Sequence, residues 1–504
     1  MTVCALPERI STPIRATART SGVKILFAFC LVSALVGRLS YLVRPLDADG
    51  AMFIYMGKLV AGGGRIGIEL IDNKFPTVGL LTSPCWKLFG DFWPGYVLLQ
   101  TALSFLGAAI LARAARRNIG RQAAFPTALF ALVYLNFNFA VFGGFQLETL
   151  QSFFSILAAA AAMEALAGDD VRDSFAVGLA AGVAAMIKPS GAGVLAAYVI
   201  ALIIHRRRIA EHLIAVVFGL AIPAAAAFAY LYAADLLPIM PALSRQIAGY
   251  AANSPWEPWD LSKPVIVLLI LGFPLLIRAV VFRRPEHRAR TSGNKAIAIF
   301  IITCLILEAA GIVAQRRMYA YHFLVLAAPA SLLFGLIPRN PRPGPLAAAL
   351  LVPALASLYG GVQVLADAPH SLQQSQSEAY LATHANPGDA VWLDGMMRLL
   401  VRTDLQPGSR YPMTFLWVND DDAPLRYCHA MLDDFDQRRP KYIVLPTRFD
   451  HYVHALADHI KELGLRPRRK ANFIAAWMML HDYVQSHYHA QTQVDWETVY
   501  VRGS

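Results

Sequence analysis

Apolar runs long enough, or nearly long enough, to cross a lipid bilayer recur through the first 363 residues of this 504-residue chain, with short basic clusters between them. A helix needs about 20 apolar residues to span the hydrocarbon core, where every backbone N–H and C=O must be paired within the protein. The runs fall at about 24–43, 94–112, 124–141, 147–166, 174–188, 191–204, 211–234, 263–281, 296–314, 319–337 and 344–363. They predict a polytopic α-helical membrane protein with about eleven transmembrane helices. Composition agrees: 56% of residues are hydrophobic, 16% are charged and the mean hydropathy is +0.45. A soluble chain this apolar could not cover its surface with polar groups. The runs 174–188 and 191–204 are short and flank Pro189. They read as half-helices meeting at the proline, as spans lengthened by neighbouring residues, or as one re-entrant pair.

Lys and Arg outnumber Asp and Glu by 45 to 34. The excess is not a nucleic-acid footprint, because it sits in short clusters between apolar runs. With the N-terminus in the cytoplasm, segments 113–121, 168–173, 205–212, 283–295 and 339–342 face inward and, with the N-terminal tail, hold about nineteen Lys and Arg, as the positive-inside rule requires. Arg9, Arg15, Arg19 and Lys24 precede the first run as in a signal sequence. That run is long and lacks a clear small-x-small cleavage site, so it reads as an uncleaved span. An odd number of spans places everything after about Gln363 outside, and the expected location is a bacterial inner membrane.

The chain divides accordingly into a transmembrane module, 1–363, and an extracytoplasmic soluble tail, 364–504. The tail is charged, rich in His and Pro, and carries strand-like runs such as Ala390-Val-Trp-Leu393 and Lys441-Tyr-Ile-Val-Leu445. Helical stretches at 423–437 and 449–463 lie among them, so the tail reads as a small α/β domain.

The first outer loop, 44–93, is the most informative segment. It contains Asp47 and Asp49, then Met52, Tyr55, Met56 and Leu59 at helical spacing, a Gly62–Gly64 turn, and Asp72-Asn-Lys74-Phe75-Pro76. One or two helices lying flat at the membrane interface are expected. Acidic residues directly after a span tend to face water-filled cavities. A carboxylate can serve as general base on a hydroxyl, and a lysine can neutralise a departing phosphate. The alternative is that Asp47 and Asp49 only cap the next helix.

Asp49-Gly-Ala-Met-Phe-Ile-Tyr-Met-Gly57 followed by Asp72-Asn-Lys-Phe-Pro76 resembles the first outer loop of GT-C glycosyltransferases. The likeness is to the branch holding protein O-mannosyltransferases, aminoarabinose lipid A transferases and rhizobial galacturonosyltransferases, which reads D-E-G-x-Y-x-Y-x-G and then D-N-K-P-P-G. Ala180-Ala-Gly-Val-Ala-Ala-Met-Ile-Lys188-Pro189 resembles the family's G-L-A-F-L-T-K segment. Gln315-Arg-Arg-Met-Tyr319-Ala-Tyr-His-Phe323, running to Pro329, resembles its basic-aromatic segment. The tail is similar to the family's soluble end from Gly388 through 440–445 to Arg502. Two departures stand out: Gly50 replaces an acid, and Phe75-Pro76 replaces Pro-Pro.

The resemblance implies a glycosyltransferase that moves a sugar from a polyprenyl-phosphate carrier to a lipid, glycan or protein acceptor at the outer membrane face, without a cofactor. By the same resemblance Asp49 is the base, with Asp47 able to stand in for the acid missing at Gly50. Lys74, Lys188, Arg316 and Arg317 surround the donor phosphate, and Tyr55, Asp72, Tyr319 and His322 contact substrate. Glu148, an acid near the outer start of the fourth span, reads either as a group that orients a cation or the sugar in the substrate site or as a structural partner of an arginine. The loop 235–263, with its aromatic cluster around Trp256 and Trp259, suits either a membrane anchor or a cover that excludes water.

Other signals are weaker. The His451, His454 and Asp458 face matches no metal-ligand spacing, so no metal is expected. The cysteines show no CxxC, and only Cys85 and Cys428 share one side of the membrane in a position to meet. No Walker A or GxGxxG sequence suggests nucleotide-sugar use. A transporter or flippase of lipid-linked glycans is the alternative of another class, but two similar halves and charges near the midplane are not seen. A non-catalytic partner in envelope assembly is a third reading, raised by Gly50.

Overall fold

The computed structural model describes residues 12–44, 46–137, 144–205, 208–252, 272, 275, 292–315, 319–336, 343–371, 376–414, 420–449, 451–455 and 467–503. Among these, six helices are long and apolar enough to cross a bilayer. They lie in α1 (Thr12–Leu39), α4 (Trp93–Asn118), α6 (Leu147–Gly168), α9 (Ile209–Ala233), α11 (Ser292–Ala314) and α13 (Pro343–Ser371). The chain is an integral membrane protein. Other expected runs fall in the shorter helices α5 (Arg121–Leu135), α7 (Val171–Ile187), α8 (Gly193–His205) and α12 (Ala327–Leu336), while 263–281 lies outside the described residues save 272 and 275. Among the described residues, then, six helices reach spanning length, against about eleven runs expected over the whole chain.

The short helices have identifiable stops. Pro189 disfavours helical backbone at the residue before it, and Lys188 is accordingly extended, with φ −147 and ψ 138. A 3-10 turn over Pro189–Ala192 then starts α8. The pair around Pro189 is therefore two short helices with a turn between them. The run at 319–337 also opens tightly, as a 3-10 stretch over Ala320–Leu326 before α12. α5 stops at Leu135, where the Asn136 side chain donates to the Leu132 carbonyl at 2.8 Å.

Close crossings hold the bundle. A Cβ at Gly178 of α7 would stand 2.1 Å from the Val216 carbonyl oxygen of α9, and one at Gly219 of α9 would stand 2.1 Å from the Phe175 carbonyl oxygen. Small residues at such interfaces let two backbones approach, which is how helices associate without a hydrophobic drive.

The first loop forms α2 (Ala48–Ala61) and α3 (Val78–Phe89). An interfacial helix would keep one polar face in water, but Gly50–Gly57 are all buried. Protein, not open lipid, covers this part of α2. It is enclosed between α3, which Gly57 allows to within 2.5 Å of a built Cβ at the Thr82 carbonyl oxygen, and the C-terminal part of the chain.

That C-terminal part is a five-stranded sheet in the order β2-β1-β3-β5-β4. The strands are β1 (Ala390–Leu393), β2 (Gln406–Pro407), β3 (Tyr442–Pro446), β4 (Tyr488–Val494) and β5 (Glu497–Arg502). β1 pairs in parallel with β2 and β3, with Trp392 opposite Ile443, while β5 runs antiparallel to both β3 and β4. Helices α14 (Gln376–His384), α15 (Met397–Arg402), α16 (Ala423–Arg438) and α17 (Pro467–His487) accompany the sheet. The strands and the helix expected at 423–437 match. Of the stretch expected at 449–463, residues 451–455 are helical and 456–466 lie outside the described residues. β1 and β3 are buried nearly throughout, as their continuous apolar runs require. One apolar cluster runs from Met52, Phe53 and Tyr96 of the membrane part into Trp392, Leu400 and Trp477. Cys85 and Cys428 remain free thiols.

Candidate active site

A cavity of about 560 Å³ opens where the start of α2, the loop before α3, the N-terminal turn of α6, the Pro189 turn and the 3-10 stretch converge. Asp49, Lys74, Glu148, Lys188, Tyr319 and His322 all line it. Six residues proposed from sequence, spread over more than half the chain, thus meet at one place.

Asp49 occupies the first turn of α2, where the partial positive charge of the helix N-terminus favours a carboxylate. The Tyr321 hydroxyl donates to its Oδ2 at 3.4 Å. Asp47 has a different task. Its side chain accepts from the Gly50 amide at 3.1 Å, the N-cap bond of α2, and from Gln146 Nε2 at 3.4 Å. It does not line the cavity. Burial, and then the nearby Asp49 charge, push its carboxyl well above the usual range. The cap also explains Gly50: a Cβ there would stand 2.5 Å from Asp47 Oδ1 and 3.3 Å from the Phe145 carbonyl oxygen. An acid at position 50 would displace the capping carboxylate.

Lys74 is held by its sequence neighbours. Its Nζ donates to Asn73 Oδ1 at 2.5 Å, lies 3.8 Å from Asp72 Oδ1 and sits 5.7 Å from the centroid of the Phe53 ring. Asp72 is buried and off the cavity wall, and the structure places it against Lys74. Burial raises its carboxyl, and Lys74 opposes the rise. Thr77 Oγ1 donates to the Met186 carbonyl at 3.0 Å, which ties this loop to the end of α7.

Lys188 forms an ion pair with Glu148 and lies 5.8 Å from the Tyr321 ring centroid. His322 Nε2 is 3.8 Å from the same Glu148 Oε1. Glu148 Oε2 is buried and has no hydrogen-bond partner among the described residues, as has Gln151 Oε1 one turn further along α6. A buried acceptor of this kind is costly unless a ligand or water meets it. Tyr319, Tyr321 and His322 form an aromatic cluster, with the tyrosine rings stacked at 5.3 Å and His322 edge-on to both.

Tyr55 is buried in the apolar cluster and does not line the cavity, its hydroxyl pushed up to about 12 by burial. Arg316 and Arg317 lie outside the described residues, although Gln315 and Tyr319 beside them in sequence line the cavity. Sequence reasoning missed Tyr321, Asn73 and Ser190. Tyr321 was hidden by the assumption of a continuous span over 319–337. With three residues per turn, the 3-10 stretch brings Tyr319 and His322 over one another and leaves Tyr321 between them. α10 (Met240–Ala252), from the loop read as an anchor or cover, contributes Ser244, Ile247 and Ala248 to the wall.

The arrangement offers two carboxylates, Asp49 and the Lys188-paired Glu148, two lysines able to meet an anion, and aromatic faces suited to a sugar ring. Residues 73–231 match the family model described as dolichyl-phosphate-mannose-protein mannosyltransferase. Among solved structures the chain is similar to ArnT from Cupriavidus metallidurans in the apo state, with a TM-score of 0.53, 18% identity and coverage of 96% of this chain and 98% of that one. It is more loosely similar to the apo oligosaccharyltransferase from Archaeoglobus fulgidus, with a TM-score of 0.49, 12% identity and coverage of 86% of this chain and 71% of that one. No curated protein matches the chain in sequence.

Proposed function

We propose that this chain is a membrane glycosyltransferase of the GT-C type that moves a sugar from a polyprenyl-phosphate carrier to an envelope lipid, glycan or protein; the family-model match over residues 73–231 and the fold shared with ArnT support the class. The observation that carries this reading is the convergence of Asp49, Lys74, Lys188 and Glu148 on one cavity. Asp49 takes the proton of the acceptor hydroxyl as its oxygen attacks the anomeric carbon. The bond from that carbon to the phosphate oxygen breaks, and the phosphate leaves with the electron pair. A polyprenyl phosphate is a weakly basic leaving group, so it needs charge stabilisation more than protonation. Lys74 and Lys188 supply that charge, joined by Arg316 and Arg317. Glu148 Oε2 accepts from a substrate hydroxyl, and the Tyr319, Tyr321 and His322 rings face the sugar. Asp47 serves as the cap that aims Asp49.

The reaction takes place on the extracytoplasmic side of a bacterial inner membrane. The N-terminus is cytoplasmic, eleven spans are crossed, and residues 364–504 form the soluble α/β domain outside. The basic clusters between the apolar runs support this orientation.

The test is transfer in proteoliposomes that hold the full chain, a polyprenyl-phosphate sugar and lipid, glycan and peptide acceptors, with products read by mass spectrometry. Asp49→Asn should abolish product while donor crosslinking persists. Full activity in that variant, or carrier translocation with no transfer by the wild type, overturns the proposal. Mass spectrometry of envelope glycolipids and glycans in a deletion strain identifies the acceptor.

A further inference from the structure

α2 carries Asp49 in its first turn and Lys58 in its last. The Lys58 Nζ leaves the membrane part of the chain and donates to the Leu400 carbonyl at 2.8 Å and the Thr403 carbonyl at 2.6 Å. These belong to the C-terminal end of α15, where helical carbonyls lack intrahelical partners and carry partial negative charge. A lysine ammonium there satisfies both needs at once. The side chain is held from other directions too, 5.6 Å from the centroid of the Trp86 ring on α3 and 4.0 Å from Asp404 Oδ1. Asp404 is 86% exposed, so that charge contact is the weaker tie.

A second tie grips the other limb of the loop. The Ile71 amide, just ahead of Asp72 and Lys74, donates to the Arg410 carbonyl at 2.8 Å. Arg410 is itself fixed by Asp434, which accepts from the Arg410 amide at 2.9 Å and meets its Nε at 3.3 Å. The base and one phosphate-binding lysine therefore sit on two limbs of one loop, and each limb is fastened to the sheet-containing part of the chain.

We propose that the C-terminal part of the chain acts as a clamp on the catalytic loop, and that Lys58 is a positioning residue which sets Asp49 through α2. This rests on the reading of Asp49 as the base. Lys58 touches no wall of the cavity, so its effect on chemistry runs through the helix. A small misplacement of a reacting group costs rate while leaving most binding contacts in place.

The test uses the full chain in proteoliposomes with Lys58→Met, Lys58→Gln and Lys58→Arg. Lys58→Met should lower kcat by about tenfold to a hundredfold, with KM for the donor within about twofold because Lys74 and Lys188 are untouched. Lys58→Arg, which can still donate to the α15 carbonyls, should restore most of kcat, and Lys58→Gln should fall between. Hydrogen exchange should rise across 48–61 in Lys58→Met without a matching rise in α9. An unchanged kcat in a folded Lys58→Met protein, a donor KM that rises while kcat holds, or exchange that rises everywhere would each overturn the proposal. If the wild type transfers no sugar, the exchange pattern still tests the clamp, so the two readings fail separately. If Lys58→Met does not fold, Lys58→Gln and Lys58→Arg carry the same comparison.

Discussion

Lys188 and Glu148 form an ion pair in which the lysine side chain is 15% exposed and the acid 2%. One comes from the extended residue that ends α7 and the other from the first turn of α6. Removing one member of a buried pair leaves the other charge uncompensated, at a cost of about 3–5 kcal/mol. Lys188→Met and Glu148→Gln should each lower the unfolding temperature in detergent, and the double variant should lose less than the two losses summed. Additive losses would show that the two side chains do not depend on one another. Both single variants should also weaken donor binding.

Asp47 and Asp49 are two residues apart, yet the geometry separates their tasks. Serine caps a helix about as well as aspartate, whereas alanine at a cap costs about 1 kcal/mol. Asp47→Ser should therefore keep transfer activity within about tenfold of wild type, since the α2 cap survives. Asp47→Ala should lower stability more than Asp47→Ser does. Loss of transfer in Asp47→Ser as complete as in Asp49→Asn would make Asp47 a participant in the chemistry.

The Asp394 carboxylate, after β1, accepts from the Thr414 amide and hydroxyl, each at 2.8 Å. Burial raises its pKa above 3.8, and these two bonds oppose the rise. A carboxyl with a raised folded pKa binds its proton more tightly in the folded state than in the unfolded one. Stability then falls as pH climbs from the ordinary value near 3.8 to the raised one, and stays lower above it. Asp394→Asn keeps an acceptor and removes the charge. Its unfolding temperature should exceed that of wild type at neutral pH, and the gap should close as pH falls through the raised value. A gap that is constant with pH would disprove the linkage.

Gly178 and Gly219 mark the crossing of α7 and α9. Gly178→Val would force side-chain carbons into the Val216 carbonyl, which a built Cβ already approaches to 2.1 Å. Overpacking of this kind costs about 1–3 kcal/mol or more. The variant should lose thermal stability and, because α7 ends at Lys188, donor affinity. Gly168→Ala, where a built Cβ meets nothing within 4 Å, should behave as wild type. Equal behaviour of the two variants would place the helices further apart.

Legibility in the sequence followed the physics of each feature. Apolar runs and basic clusters report the solvent of a segment, so the membrane class could be read directly, as could the buried strands around Trp392 and Ile443. Asp49, Lys74, Lys188, Tyr319 and His322 were visible through segments that resemble a known family, and Glu148 through an acid placed at the start of an apolar span, where a charge is costly without a purpose. Tyr55 falls in the apolar cluster and off the cavity wall, a placement that the motif could not give because spacing along a helix does not tell which neighbour covers a face. Asp47 stayed ambiguous, since a carboxylate before a helix looks the same whether it caps or catalyses.

The sequence by itself determined that the chain must live in lipid, that the apolar stretch is interrupted at Pro189, and that carboxylates stand where the amides that open a helix lack partners. These are local matters, settled by composition, by a ring that lacks an N–H, and by unpaired amides at a helix start. Only the tertiary structure decided that Asp49 faces the cavity while Asp47 turns away, that Gly50 is small because a cap occupies its space, and that Lys58 closes a helix from the far end of the chain. The settings of Asp49 and Lys58 depend on contacts with residues hundreds of positions away, and no periodicity along the chain encodes such distances.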